Sequence, residues 1–367
     1  MKKTNNTILT LDAGGTNLVF KAIRDAKAAS DDFSLAANSD SLEELLQKII
    51  SGFREVEKQS GEKSDAISFS FPGPADYEKG IIGNLENLPL IRGGVALKKM
   101  LENEFQIPVF INNDGDLFAL GEAMFGLLPE TNKKLKEAGV NKQYKNLLGL
   151  TLGTGFGGGI VSNGQLWMGD NSAGAEINRM SNYLNRNESV EEVLSIRGVK
   201  RLFSQKANCA FENTPEPFDI YRIGMGEKKG NRKAATEAWE SFAIVLADAI
   251  GNAISLIDGL VVIGGGLSGA HPLFLQRVVA ELNGDFTKTG GGKVSRLEVS
   301  AYNLENTEGL IGFLEQKEKQ ITVPFSNETV SYFPDKKIGV GISRLGTSEA
   351  VAMGAYAFAA KMLGFNK

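Results

Sequence analysis

The sequence predicts an α/β protein made of two related halves, and three observations carry that prediction. Residues 9–24 (LTLDAGGTNLVFKAIR) and residues 147–161 (LLGLTLGTGFGGGIV) repeat one pattern: buried strand, glycine-rich bend, buried strand. Each is followed by strands and helices in alternation, the helices marked by apolar residues three and four apart. A third apolar strand, residues 259–263 (GLVVI), follows a long apolar helix at 234–257 and runs straight into Gly264, Gly265 and Gly266.

The first unit opens with Ile8, Leu9 and Leu11 and closes with Leu18, Val19, Phe20, Ala22 and Ile23, types that suit a buried pleated surface. Asp12, Gly14, Gly15, Thr16 and Asn17 make the bend. Adjacent glycines let the backbone approach a ligand closely, so that successive N–H groups can surround phosphate oxygens. Asp12 would repel a bare phosphate, a conflict removed when Mg²⁺ lies between carboxylate and phosphate, usually through water. Taken alone, the motif is equally readable as an ordinary tight hairpin.

Residues 41–58 (SLEELLQKIISGFREVEK) predict a helix, with Ser41 as N-cap and Glu44 three positions on. A strand at 66–71 stops at Pro72-Gly73-Pro74, and loops at strand ends of open α/β sheets are where ligands bind. After the loop 83–89 (GNLENLP) come a helix from about 94 to 105 and a strand at 108–111 that delivers Asn112, Asn113 and Asp114. Leu117, Leu120 and Met124 mark the next helix, which puts Asp114 near its N-terminus, where dipole and free N–H groups favour the ionised form. An N-cap would look the same.

In the second unit Gly153, Thr154, Gly155, Gly157, Gly158 and Gly159 supply more glycine than a hairpin needs. They read as a second phosphate cradle, with Thr154 donating from its hydroxyl. Gly264–Gly266 offer a flat surface without side chains against which an adenosine could pack. Two halves facing each other with nucleotide between them is the expected arrangement.

Composition sets the frame: 367 residues, 42% hydrophobic, 23% charged, net charge −4, sufficient for two domains with large cores. The negative balance and the lack of a basic tract argue against a nucleic-acid partner. The start, MKKTNNTILTLD, turns polar and enters the first strand, so neither a signal peptide nor a membrane span is expected and a cytoplasmic location is the default. One cysteine, Cys209, and one histidine, His271, leave no material for a disulfide framework, a Cys/His zinc site or a His-based triad.

The order and type of these motifs resemble the ROK family of sugar kinases and related repressors, within the actin-like ATPase (ribonuclease H-like) fold. LDAGGTN resembles the family's first phosphate motif, FPGPAD and NLP its sugar loops, INNDGDLFALGEA its catalytic Asn-Asp helix, LGTGFGGGIV its second phosphate motif and VVIGGGLS its adenosine motif. The resemblance implies that Asp114 is the base for an attacking sugar hydroxyl, that Asn113 binds a neighbouring hydroxyl, and that Asp12 positions Mg²⁺. Nucleotide would be held by Gly14, Gly15, Thr16, Asn17, Gly153, Thr154, Gly155, Gly264, Gly265 and Gly266. Gly73 and Asn87 match sugar-loop positions, and Glu176 in SAGAEINRM matches the glutamate of the family's Gly-Glu-x-Gly-His segment.

Here the chain departs from the pattern. Asn178-Arg179 stand where the family has Gly-His, and the cysteine cluster that follows is replaced by residues 181–189, so the family's structural zinc is expected to be lost. Glu191 aligns with the glutamate after the last family cysteine, or is a surface carboxylate beside Glu192. Arg179 could donate to a sugar oxygen, fix Glu176 by a salt bridge, or point into solvent. Residues 127–146 read as a polar insertion, a surface or subunit-contact feature, and alternating runs between 293 and 340 as extra β-hairpins.

The expectation is therefore an ATP-dependent, Mg²⁺-requiring hexose kinase acting on glucose or a close relative such as fructose, mannose or an N-acetylhexosamine. Residues 1–113 plus 348–367 would form the smaller lobe and 114–347 the larger one, with a nucleotide cleft between them; beyond the family's tendency to form homodimers, the sequence leaves the oligomeric state open. The alternative is a sugar-binding or regulatory ROK protein without catalysis. A repressor would need a DNA-reading helix-turn-helix, and only about eight residues precede the first strand.

Overall fold

The computed structural model describes residues 6–13, 17–85 and 89–365. Gly14, Gly15 and Thr16 of the first bend and Asn87 of the sugar loop lie outside the described residues. The chain divides into two compact units, Met1–Gly126 with Gly159–Ala175 and Leu345–Lys367, and Leu127–Gly158 with Glu176–Arg344.

In the first unit, strand Thr7–Ala13 pairs antiparallel with Asn17–Arg24 and parallel with Ala66–Ser70, which pairs parallel with Val109–Asn112. Side chains alternate between the two faces with period two. Leu9, Leu11, Ile67, Phe69, Val109 and Ile111 meet Leu45, Ile49, Phe53 and Val56 of helix Leu42–Ser60 on one face. Ile8 and Ala66 face the other way, against Ala352, Met353, Tyr356 and Ala359 of helix Thr347–Met362. Both faces are covered, which is why these strands read as nearly continuous apolar runs.

The predicted N-cap is present: the Glu44 N–H donates to Ser41 Oγ at 3.2 Å, and Glu44 reaches back to accept the Asp40 N–H at 2.8 Å. The helix expected from about residue 94 starts at Leu97, because Val95–Ala96 first pair with Ile81–Ile82. Helix Asp114–Phe125 belongs to the first unit because it packs on Thr347–Met362 through glycines. A Cβ at Gly121 would overlap the Ala350 carbonyl oxygen, and one at Gly354 the Leu117 carbonyl oxygen. Only glycine permits so close a crossing.

In the second unit, strand Asn146–Leu152 runs parallel to Leu260–Gly264, followed by Lys337–Ile342 and Ser300–Asn303, all parallel. Helix Arg232–Ile257 buries Ala235, Trp239, Phe242, Leu246, Ile250 and Ile254 and packs on helices Ile196–Ala207 and His271–Leu282. It is the one helix among the described residues long and apolar enough to cross a membrane, but here it is a largely buried core helix.

Two sequence expectations change. Residues 127–146 are not simply a polar surface insertion: helix Leu127–Glu137 buries Leu127, Leu128, Thr131 and Leu135, and Asn132 exchanges two hydrogen bonds with the backbone of buried Tyr144. The apolar stripe is diluted by five lysines at 133, 134, 136, 142 and 145, so the stretch reads as more polar than it packs. Between 293 and 340 the expected hairpins form in part: Lys293–Ser295 pairs antiparallel with Asp285–Thr287 and Lys319–Thr322 with Thr329–Tyr332, whereas Ser300–Asn303 and Lys337–Ile342 join the main sheet side by side in parallel.

Candidate active site

In the first unit the polar residues gather at the carboxyl ends of the parallel strands, where open α/β sheets place ligands. Asp12 ends its strand and is half-buried; Asn113 and Asp114 follow the strand Val109–Asn112. Asn113, not Asp114, is the N-cap of the Asp114–Phe125 helix, accepting the Gly115 N–H at 2.8 Å through Oδ1. Asp114 Oδ1 accepts the same N–H, also at 2.8 Å, which fixes the carboxyl orientation.

The helix N-terminus does not decide the protonation of Asp114. Desolvation by the surrounding protein raises its pKa above the usual carboxylate value, the Gly115 N–H opposes this, and the negative charge of Asp12 adds to the rise. The carboxyl is nevertheless reachable from solvent. A reachable but poorly hydrated carboxylate is suited to accept a proton from a ligand.

Asn113 Nδ2 donates to the Tyr77 hydroxyl at 3.4 Å, and that hydroxyl donates to the Phe71 carbonyl at 3.0 Å. A Cβ at Gly73 would sit 3.2 Å from the same hydroxyl. The Pro-Gly-Pro loop and Asn113 thus share Tyr77, a residue that sequence reasoning missed because nothing in DYEKG marks it.

In the second unit, the two glycine turns lie at neighbouring strand ends, with Thr151 in register with Gly264. Gly265 has φ +86°, and a Cβ there would overlap the Leu152 carbonyl oxygen, so glycine is required. The Gly153–Gly155 loop is held by a Gly153 N–H to Gly155 carbonyl bond of 2.9 Å and by the Ile196 N–H donating to the Gly153 carbonyl at 2.9 Å. Among the described residues the N–H groups of Thr154 and Gly155 have no protein partner, and Thr154 is exposed.

Glu191 is neither a free surface carboxylate nor remote from this loop. Its Oε2 accepts the Phe156 N–H at 3.0 Å and would lie 2.8 Å from a Cβ at Gly155. Glu176 precedes the short turn Ile177–Arg179 and Arg179 ends it, and both are exposed. Their link is the Arg179 N–H donating to the Glu176 carbonyl at 3.0 Å; the side-chain ion pair considered from the sequence is not formed. An exposed pair contributes only about 0–1 kcal/mol, too little to hold two long side chains together.

The segment that replaces the family's cysteine cluster folds as a hairpin, Ser181–Asn182 against Asn185–Ser189. Glu188 joins it to helix Ile196–Ala207 by a two-pronged bond with Arg201, at 2.7 and 3.1 Å, and that contact keeps the Glu188 carboxyl below the usual range.

Beside Gly266 lies a cavity of about 290 Å³ lined by Ile196, Pro217, Phe218, Trp239 and Leu267, with Glu216 also in its wall. Its walls are chiefly apolar; Phe218 is 70% exposed, and Glu216 accepts from Lys200 Nζ at 2.6 Å. This size is near the lower end for small-molecule sites. Sequence reasoning misses Pro217 and Phe218; proline at a helix start is a readable signal, but nothing local shows that the Arg222 guanidinium lies over the Phe218 ring, 5.9 Å from its centre.

The molecule is a mixed α/β protein of the actin-like ATPase fold. The chain belongs to the ROK family, whose sequence profile matches residues 8–316. It is similar to the crystal structure of a glucokinase from Parabacteroides distasonis, with 46% identity over 98% of this chain and 99% of that one and a TM-score of 0.89. It is also similar to a glucokinase of Thermotoga maritima, 27% identical over 74% of this chain and 84% of the relative. An N-acetyl-D-glucosamine kinase of Yersinia enterocolitica is 30% identical over 63% of this chain and 75% of its own length.

Proposed function

We propose that this protein transfers the γ-phosphoryl group of ATP to a hydroxyl of a hexose, glucose or a close relative such as fructose, mannose or an N-acetylhexosamine. The observation that carries the reading is Asp114: oriented by the Gly115 N–H, reachable, and held above the usual carboxylate pKa. The sugar oxygen bonds to the γ-phosphorus, the bond to the β–γ bridging oxygen breaks, and the hydroxyl proton passes to Asp114. A loose transition state of this kind asks mainly for positioning and charge neutralisation. Asn113 would bind a neighbouring hydroxyl, with Gly73, Asn87, Glu176, Arg179 and Glu191 as further sugar-site candidates.

Gly14, Gly15, Thr16 and Asn17 on one side of the sequence, and Gly153, Thr154 and Gly155 on the other, would hold the phosphates. The adenine would enter the cavity beside Gly264–Gly266, where Phe218 offers a flat apolar face. Mg²⁺ suits the acidic end of the first strand, because Asp12 contributes negative charge close enough to raise the Asp114 pKa and Mg²⁺ binds with only one or two carboxylates. Asp12 would hold it through water, and the ion would supply charge neutralisation at the phosphates.

The names of the relatives support kinase activity on glucose or N-acetylglucosamine without selecting between them. A coupled ADP-release assay across a hexose panel tests the proposal, with turnover on at least one hexose expected. Hexose binding without turnover would replace it with a non-catalytic sugar-binding role.

A further inference from the structure

Strand register places three polar residues in one row across the first sheet. Asp12 is opposite Ser70, and Ser70 is opposite Asn112, in two parallel pairings. Alternation sends all three to the face that carries Ile8 and Ala66 further down the same strands. The same face carries buried Thr10 and Ser68, whose Oγ also has no partner among the described residues, and is covered by the apolar residues of helix Thr347–Met362. Ser70 is 3% exposed and Asn112 1% exposed, and Asn112 Nδ2 has no hydrogen-bond partner. A buried amide left unpaired beside an apolar helix is costly, yet it stands one residue before the Asn113-Asp114 pair and in line with Asp12.

We infer that Asn112 is a positioning residue for Asp12, acting across Ser70 through a bound water and thereby setting the carboxylate that receives the divalent cation. Neighbouring strands lie about 4.8 Å apart, so the Asp12 and Asn112 backbones are separated by roughly 10 Å. Two short side chains span part of that distance, and the Ser70 hydroxyl with one water completes it. A water needs two or more polar partners in such a place, and the row provides three. The row gives Asp12 a fixed direction, as partners behind metal-holding groups generally do. This inference rests on the assignment of Asp12 to the metal.

The test is the factor by which saturating Mn²⁺ tightens ADP binding, measured by calorimetry on the whole protein with and without the metal. In Asn112→Leu, with the same branching and number of side-chain heavy atoms but no polar ones, that factor should fall roughly 10-fold while ADP affinity without metal stays the same. Ser70→Ala, the milder change, should shift it in the same direction and serves if the leucine variant fails to fold. An unchanged factor in both variants, with equal or higher Tm for Asn112→Leu, would mark Asn112 as an unpaired structural amide and overturn the inference. Asp12→Asn separates the two levels of the argument. If it abolishes the Mn²⁺ effect while the other variants do not, only the role of Asn112 falls; if it changes nothing, the metal assignment falls and this inference with it.

Discussion

The carboxylate of Glu191 accepts the backbone N–H of Phe156 at 3.0 Å and so ties the short turn Val190–Glu192 to the end of the second glycine loop. An acid that aligned with a sugar ligand therefore also shapes the candidate phosphate cradle. Glu191→Ala leaves the half-enclosed N–H without its acceptor, which costs about 1–3 kcal/mol. ADP affinity is expected to fall together with thermal stability, whereas Glu191→Gln, which keeps an acceptor oxygen, should retain most of both. If Glu191→Ala raised only the sugar KM and left stability and ADP binding alone, the clamp would have no functional weight.

Gly121 and Gly354 set the distance between the Asp114 helix and the helix Thr347–Met362. Alanine at either position forces a methyl group against a backbone carbonyl that cannot rotate away. Overpacking of this kind costs about 1–3 kcal/mol, and the rigid neighbour puts the expected loss at the upper end. Denaturant unfolding of Gly121→Ala and Gly354→Ala measures it; a change within about 0.5 kcal/mol, the range of ordinary surface substitutions, would show that the helices can part without cost.

The raised pKa of Asp114 has a consequence for stability. The native state binds this proton more tightly than the unfolded chain, so the group contributes stability below the unfolded-chain pKa and loses it as pH rises through the native one. At neutral pH the ionised Asp114 thus opposes folding. Asp114→Asn is expected to raise Tm at pH 7–8, with the gain shrinking as the pH falls toward 4; a gain that grew in acid would reverse the sign of the argument.

Arg179 is exposed and makes no ion pair with Glu176, which leaves its guanidinium able to meet a sugar hydroxyl. Lysine keeps the charge but not the planar fork. Arg179→Lys should weaken hexose binding by roughly 1–3 kcal/mol, the scale of a charge-assisted hydrogen bond, with ADP affinity preserved. If Arg179→Lys and Arg179→Ala both bind hexose as the parent does, the residue is a solvated surface arginine.

Much of this was legible in the sequence because it depends on local chemistry. Ser41 with Glu44 marks a helix start, and the Leu9 and Leu147 runs mark buried strands. Features that depend on distant partners were not legible. Nothing local tells Glu191 that its acceptor role ends on Phe156, brings Tyr77 to Asn113, or sets Gly121 against Ala350. The protonation of Asp114 belongs to the same group: the helix start favours the anion locally, and burial with Asp12, distant in sequence, outweighs it. Leu127–Glu137 reads as surface because its lysines dilute an apolar stripe that buries only one side of the helix.

The central claim is that Asp114 accepts the proton of the attacking hexose hydroxyl, and Asp114→Asn tests it most directly, since the amide keeps the shape and cannot take the proton. The measurement is kcat on the preferred hexose, paired with hexose affinity from calorimetry on the same preparation. The account predicts a fall in kcat of at least about 10²-fold with sugar affinity changed only a few-fold. Near-normal kcat in the folded variant would contradict it.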